Sequence, residues 1–141
     1  MKISDILRHK GSSVATIAPS GAVSEVLAQL AEHNIGALVV LDGTEVVGIV
    51  SERDVVRRLH ERGAEVLDLT VGDIMTTSVV SCGSHDSVDS VAETMTERRI
   101  RHMPVVDDDA LTGIVTIGDV VSSRIRQLEQ DRGQLEHYIT G

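Results

Sequence analysis

The sequence predicts an α/β (α+β) fold of two β-α-β-β-α repeats, related by a pseudo-twofold axis and packed as one module. Three observations predict it. First, Gly48-Ile49-Val50-Ser51-Glu52-Arg53-Asp54 recurs as Gly113-Ile114-Val115-Thr116-Ile117-Gly118-Asp119. Each is an apolar strand that runs into a hydroxyl residue with an acid three positions on. Second, the recurrence keeps one offset of 65 residues through helix, hairpin and junction alike. It pairs Val14 with Val79, Val23 with Val88, Ile35 with Ile100, Asp42 with Asp107 and Val55 with Val120. Two copies at this period are too few and too long for a solenoid. Third, the chain has 141 residues, so each half alone would bury a marginal core and the two do better by packing together.

In chain order, Ile3, Ile6 and Leu7 have helical spacing over residues 3–9, with Ser4 or Asp5 able to cap the start. Gly11-Ser12-Ser13 breaks that helix. Residues 14–17 read as a short extended stretch closed by Pro19-Ser20-Gly21. Val23, Val26, Leu27, Leu30 and Ala31 form one apolar helix face, ending near Asn34. Ala37 to Leu41 is an apolar run of strand length. Asp42-Gly43 is a hairpin signal, and Val46 to Val50 returns. Residues 52–60 are helical and Gly63 stops them, leaving 61–70 as a linker. Val71-Gly72-Asp73-Ile74-Met75 resembles Ile3-Ser4-Asp5-Ile6-Leu7, so a short helix or turn introduces each unit. The second unit then reads as a short strand at Val79-Val80-Ser81, a helix capped by Asp86 or Ser87, and a strand from His102 to Val106. A turn at Asp107-Asp108-Asp109, a strand from Leu111 to Val115 and a helix from Ile117 follow. That helix could reach Tyr138, with a break near Gly133.

Composition limits the chemistry. The core is aliphatic, because the chain has one Tyr and no Phe or Trp; a flat ligand would be gripped by aliphatic side chains rather than stacked on rings. A net charge of −9 argues against nucleic acid and anionic membranes as partners, while leaving room for a local basic pocket. Cys82 is the only cysteine and cannot form an intrachain disulfide. With no signal-like apolar start and no apolar run of membrane-spanning length, a soluble cytoplasmic protein is expected. His9, His33, His60, His85 and His137 lack metal-ligand spacing, so no metal is expected. No Ser, His and acid can be argued together as catalytic groups, so no enzyme is expected.

Each junction suits two roles. Ser51 or Thr116 can cap a helix, with Asp54 or Asp119 reaching back as in a capping box. The same first turn offers free N–H groups and a partial positive charge, which attract phosphate. A carboxylate one turn inside can accept from both hydroxyls of a ribose. Hydroxyl plus acid at this spacing therefore suits a ribose phosphate.

The tandem β-α-β-β-α units, each with Gly-h-h-Ser/Thr-x-x-Asp (h apolar), resemble a pair of CBS (cystathionine β-synthase) domains of the stand-alone bacterial type. Arg101-His102-Met103-Pro104-Val105-Val106-Asp107 is similar to the basic-apolar-Pro-Val-Val-Asp strand of that family's second copy. The resemblance implies CBS domains over 7–66 and 71–128, with a C-terminal helix or tail at 129–141. It implies two clefts, an adenosine ligand such as AMP, ADP, ATP, NAD or S-adenosylmethionine, and a homodimer. Carried over by position, Asp119 and Asp54 would hold ribose, and Thr116 and Ser51 phosphate. Thr16, Ile17, Val80 and Ser81 would flank the base with Ile100, Met103 and Pro104. The second copy has Arg101-His102-Met103-Pro104 where the first has Gly36-Ala37-Leu38-Val39, and Arg53 faces Gly118. Asymmetric clefts follow: a better one with Thr116, Asp119 and Arg101 or His102, and a weaker one that could use Arg53 for phosphate. His102 also suits a partly buried strand histidine. Arg98 and Arg99 read as a solvated helix end, with phosphate contact as the lesser alternative, and Asp107 to Asp109 as a solvated hairpin tip before a cation site. Ile125, Leu128, Leu135 and Ile139 read as a packing or dimer face. The expected function is a regulatory nucleotide-binding module; the alternative is a structural homodimer scaffold with vestigial clefts.

Overall fold

The structure, a computed structural model, describes residues 1–140; Gly141, the end of the expected tail, lies outside the described residues. In order it contains α1 (Ile3–Lys10), β1 (Thr16–Ile17), α2 (Val23–His33), β2 (Ala37–Asp42), β3 (Glu45–Ser51) and α3 (Glu52–Arg62). A 3₁₀ turn (Gly63–Asp68), α4 (Val71–Ile74), α5 (Val88–Arg98), β4 (His102–Asp107), β5 (Ala110–Thr116) and α6 (Ile117–Thr140) complete it. β1 pairs parallel to β2, and β2–β3 and β4–β5 are antiparallel hairpins. Both hairpins carry a register shift at equivalent places, after Val40 and after Val105.

Local chemistry accounts for most boundaries. α2 ends on Asn34 in the left-handed conformation, where a short polar side chain is tolerated. α3 starts at Ser51, whose Oγ accepts from the Asp54 amide while Asp54 accepts from the Ser51 amide. Several expectations need correction. The N-cap of α1 is Lys2, two residues before Ser4 and three before Asp5, and Asp5 acts from the first turn by accepting the Lys2 amide at 2.9 Å. The expected linker contains a 3₁₀ turn that buries Val66. α6 runs unbroken through Gly133. A single glycine costs a helix about 1 kcal/mol, and Arg132 to Glu136 and Gln127 to Asp131 brace that stretch.

The second short strand shrinks to one bridge, Cys82 to Val105. The cause is Pro104. In the first repeat Val39 donates its amide to Ala15. Pro104 stands at the equivalent position and has no N–H to give Val80. Cys82 still exchanges bonds with its neighbours, donating to Pro104 O and accepting from Val106 N. It is buried, and burial, with the Asp86 and Asp107 charges, pushes its thiol up to about 12. It therefore packs as a small protonated residue.

The two cores are built by exchange. Ile17, Val26, Leu30, Leu38, Val40 and Val50 of the first repeat are completed by Val66, Val71 and Ile74. Val88, Val91, Met95, Met103, Val105 and Val115 of the second are completed by Ile3 and Ile6. Each introductory helix thus packs on the opposite repeat. The backbone fastens the same way: Ile3 N donates to Asp86 O at 2.9 Å, and Val71 N to Gly21 O at 2.8 Å. Gly48 and Gly113 make room for these helices. A Cβ on Gly48 would lie 2.7 Å from Met75 Sδ, and one on Gly113 2.7 Å from a Leu7 methyl.

Candidate functional site

The exchange delivers different donors to the two junction acids. The segment after α4 pairs with β3, Thr76 and Ile49 trading backbone bonds at 3.0 and 2.9 Å. This brings Thr76 Oγ1 within 3.0 Å of Asp54 Oδ1, to which it donates. At the second junction Lys10, from the end of α1, does both tasks through its ammonium. Its Nζ donates to Ile114 O at 3.0 Å and to Asp119 Oδ2 at 2.6 Å. Burial alone would raise the Asp119 pKa, but Lys10 and the Thr116 N–H outweigh it and hold the carboxyl below its usual range.

One cleft of about 570 Å³ opens at the first junction. One wall is Ser51, Arg53, Asp54 and Arg57 at the start of α3. The opposite wall is Arg98 to His102 and Pro104, from the end of α5 into β4. Ile49, Val79 and Val80 supply apolar surface between them. Of the residues expected at a ligand, Ser51, Arg53, Asp54, Val80, Ile100, Arg101, His102 and Pro104 therefore share one cleft. Thr116, Asp119, Thr16, Ile17, Ser81 and Met103 do not line it. Ile17 and Met103 are core residues, 7% and 1% exposed.

The expected grouping of Arg101 and His102 with Thr116 and Asp119 is revised accordingly. His102 pairs with Thr116 across the β4–β5 ladder, yet it lines the cleft of the other junction. The pseudo-twofold packing sets the second repeat's strand entry against the first repeat's helix start. Gly36 permits this approach, since a Cβ there would lie 3.1 Å from His102 Nε2. Arg57, Thr76 and Ser78 line the cleft without having been expected there, and phosphate contact at Arg98 and Arg99 was the lesser expectation. Arg57 was within reach, being four residues from Arg53 and so on the same helix face. The choice between solvent and phosphate for Arg98 and Arg99 was not, because only the packing decides what lies opposite the end of α5.

His102 is half-buried, and that burial holds its pKa below the ordinary 6.5; Glu52 and Asp119 oppose the shift while Lys10 and Arg101 reinforce it. A depressed imidazole pKa means the folded state favours the neutral ring. The unfolded chain then binds more protons below 6.5, so this residue's contribution to stability falls as pH drops through that window. His102→Gln is expected to flatten the fall in melting temperature between about pH 7 and pH 5. Parallel melting curves for variant and parent across that range would rule the role out.

The family model for the CBS domain matches twice, over residues 3–61 and 71–126. The crystal structure of the CBS-domain containing protein ATU1752 from Agrobacterium tumefaciens is 40% identical, with a TM-score of 0.85, covering 88% of this chain and 99% of that one. The mitochondrial CBS domain-containing protein CBSX3 of Arabidopsis thaliana is 33% identical over 99% of this chain and 72% of its own length. The CBS domain pair of protein MJ0100, solved with 5′-methylthioadenosine and S-adenosyl-L-methionine, is 31% identical with a TM-score of 0.77. The match covers 92% of this chain and 98% of that one.

Proposed function

Because the chain belongs to the CBS-domain family, as a tandem pair, we propose that it is a regulatory module that binds an adenine nucleotide. AMP, ADP, ATP or NAD would occupy the cleft at the first junction and act as a ligand, not a catalytic cofactor. The observation that carries this is the joining of Ser51 and Asp54 with Ile100, Arg101, His102 and Pro104 around one cleft. Asp54 faces ribose, the Ser51 hydroxyl and the α3 N-terminus face phosphate, and the aliphatic surface of Ile49, Val80 and Ile100 grips the base. The complex of the related MJ0100 pair with adenosine compounds supports the class of ligand.

Ligand state reaches a partner when two conformations bind the ligand differently. The cleft supplies a basis for that, because its walls come from different repeats. The scaffold reading draws on a separate observation. Val56 on α3 and its counterpart Val121 on α6 are 63% and 50% exposed, with Leu59, Ile125 and Leu128 also exposed. A face of this kind fits a homodimer, and the proposal includes one. Among the described residues no helix is long and apolar enough to cross a membrane, and a cytoplasmic location belongs to the same proposal.

The test is thermal. A nucleotide at one hundred times its Kd adds about 2.7 kcal/mol, a rise in Tm on the order of 10 °C for a chain of this size. Mass spectrometry of small molecules released from the purified protein names the nucleotide. No shift with any adenosine compound at millimolar concentration would leave the homodimer scaffold as the function.

A further inference from the structure

We propose that the cleft takes one ligand per chain carrying at least two linked phosphate groups, held by arginines from both walls. This rests on the ligand-binding reading above and narrows it.

Five guanidiniums line this cleft, Arg53, Arg57, Arg98, Arg99 and Arg101, against two carboxylates, Glu52 and Asp54. The chain as a whole is at −9, so the cleft is a local reversal of sign. Among the described residues the ion pairs are Arg8–Asp5, Lys10–Asp119, Arg58–Glu61, Arg124–Asp89 and Arg132–Glu136; none includes a cleft arginine. Unpaired like charges crowded in one concavity repel one another, which costs stability unless an anion sits among them. A single phosphate has room for the fork of one or two arginines. Arginines on facing walls suit a longer anion that reaches both.

The repeat makes the concentration sharper. At the offset of 65, Arg53, Arg57, Arg98, Arg99 and Arg101 correspond to Gly118, Ser122, His33, Asn34 and Gly36. Not one is basic in the way arginine is. Arg99 also holds the left-handed C-cap of α5, with φ 55° and ψ 43°, where α2 uses Asn34. An arginine is strained there and an asparagine is not. Meanwhile Asp119, the counterpart of Asp54, is already engaged by Lys10. The two halves of the pseudo-twofold module are therefore chemically unequal, and the phosphate-binding charge lies on one side. A sulfonium ligand such as the S-adenosyl-L-methionine of the MJ0100 complex would carry a positive charge into a cleft with five guanidiniums.

Isothermal titration in EDTA with ATP, ADP, AMP, 5′-methylthioadenosine and inorganic tripolyphosphate tests the inference. The expected order is ATP, then ADP, then AMP, each step about tenfold, as charge-assisted hydrogen bonds at this scale give, with methylthioadenosine weakest and a stoichiometry of one. The exposed pair Arg57→Gln/Arg98→Gln should melt at or above the parent's ligand-free temperature and bring ATP to within about threefold of AMP. Equal affinity for ATP and AMP, or two equivalent sites, would overturn the inference and leave adenosine binding intact. Arginine-dependent binding of tripolyphosphate without binding of any adenosine compound would uphold the inference and sink the adenosine reading. Binding of neither anion class would sink both.

Discussion

Asp54→Ala is expected to weaken adenosine-ligand binding by about ten- to a hundredfold, while Asp119→Ala leaves it within about twofold. The two acids are equivalent in the repeat and differ in their surroundings. Asp54 Oδ2 accepts from the Ser51 amide and hydroxyl, and Oδ1 from Thr76. A carboxylate offers about four lone-pair positions, so Oδ1 retains an acceptor position for a sugar hydroxyl at the cleft wall. Asp119 spends its Oδ2 on the Thr116 amide and the Lys10 ammonium, and it does not line the cleft. Removing a charged acceptor from a ligand hydroxyl costs about 1.5–3 kcal/mol, which sets the size of the loss. The variant also loses half of a capping box, at about 0.5–2 kcal/mol of stability. Titration well below the variant's melting temperature separates binding from folding. A larger loss for Asp119→Ala than for Asp54→Ala would show that the ribose acid had been assigned to the wrong junction.

Ile6→Ala is expected to destabilise the fold by about 2–5 kcal/mol, and Ile74→Ala by a similar amount. Both side chains are 2% exposed. The informative result is where the damage appears. Ile6 lies in the first repeat's sequence but in the second repeat's core. Ile74 opens the second repeat's sequence but lies in the first core. Hydrogen exchange under native conditions should therefore speed up first in β4–β5 for Ile6→Ala and first in β2–β3 for Ile74→Ala. The reverse assignment, each variant loosening the hairpin of its own repeat, would refute the exchanged packing. Urea melts supply the overall change.

Much of the fold was legible because it rests on local rules. Helix periodicity, the Asp42-Gly43 hairpin, the Asn34 cap and the Ser51/Asp54 box each act within a few residues. The failures have causes of other kinds. The strand expected at 79–81 is lost because Pro104, more than twenty residues on, has no amide to give it. The expected break at Gly133 is absent because one glycine weakens a helix without ending it. For the site, the eight expected residues that share the cleft were legible from the motif. Met103 and Ile17 were not, since the side of the strand each faces was set by core packing.

The sequence by itself determined the repeat, the offset, the paired junctions and the inequality between the copies. Those follow from residue order and chain periodicity. Tertiary structure alone decided which junction faces which strand. Arg101 and His102 sit with Asp54 because the pseudo-twofold packing apposes opposite repeats, and Lys10 reaches Asp119 because α1 crosses to the second core. Spacing along the chain carries no term for such contacts between distant segments. They follow from how two marginal halves bury their remaining apolar surface, each closing the core of the other.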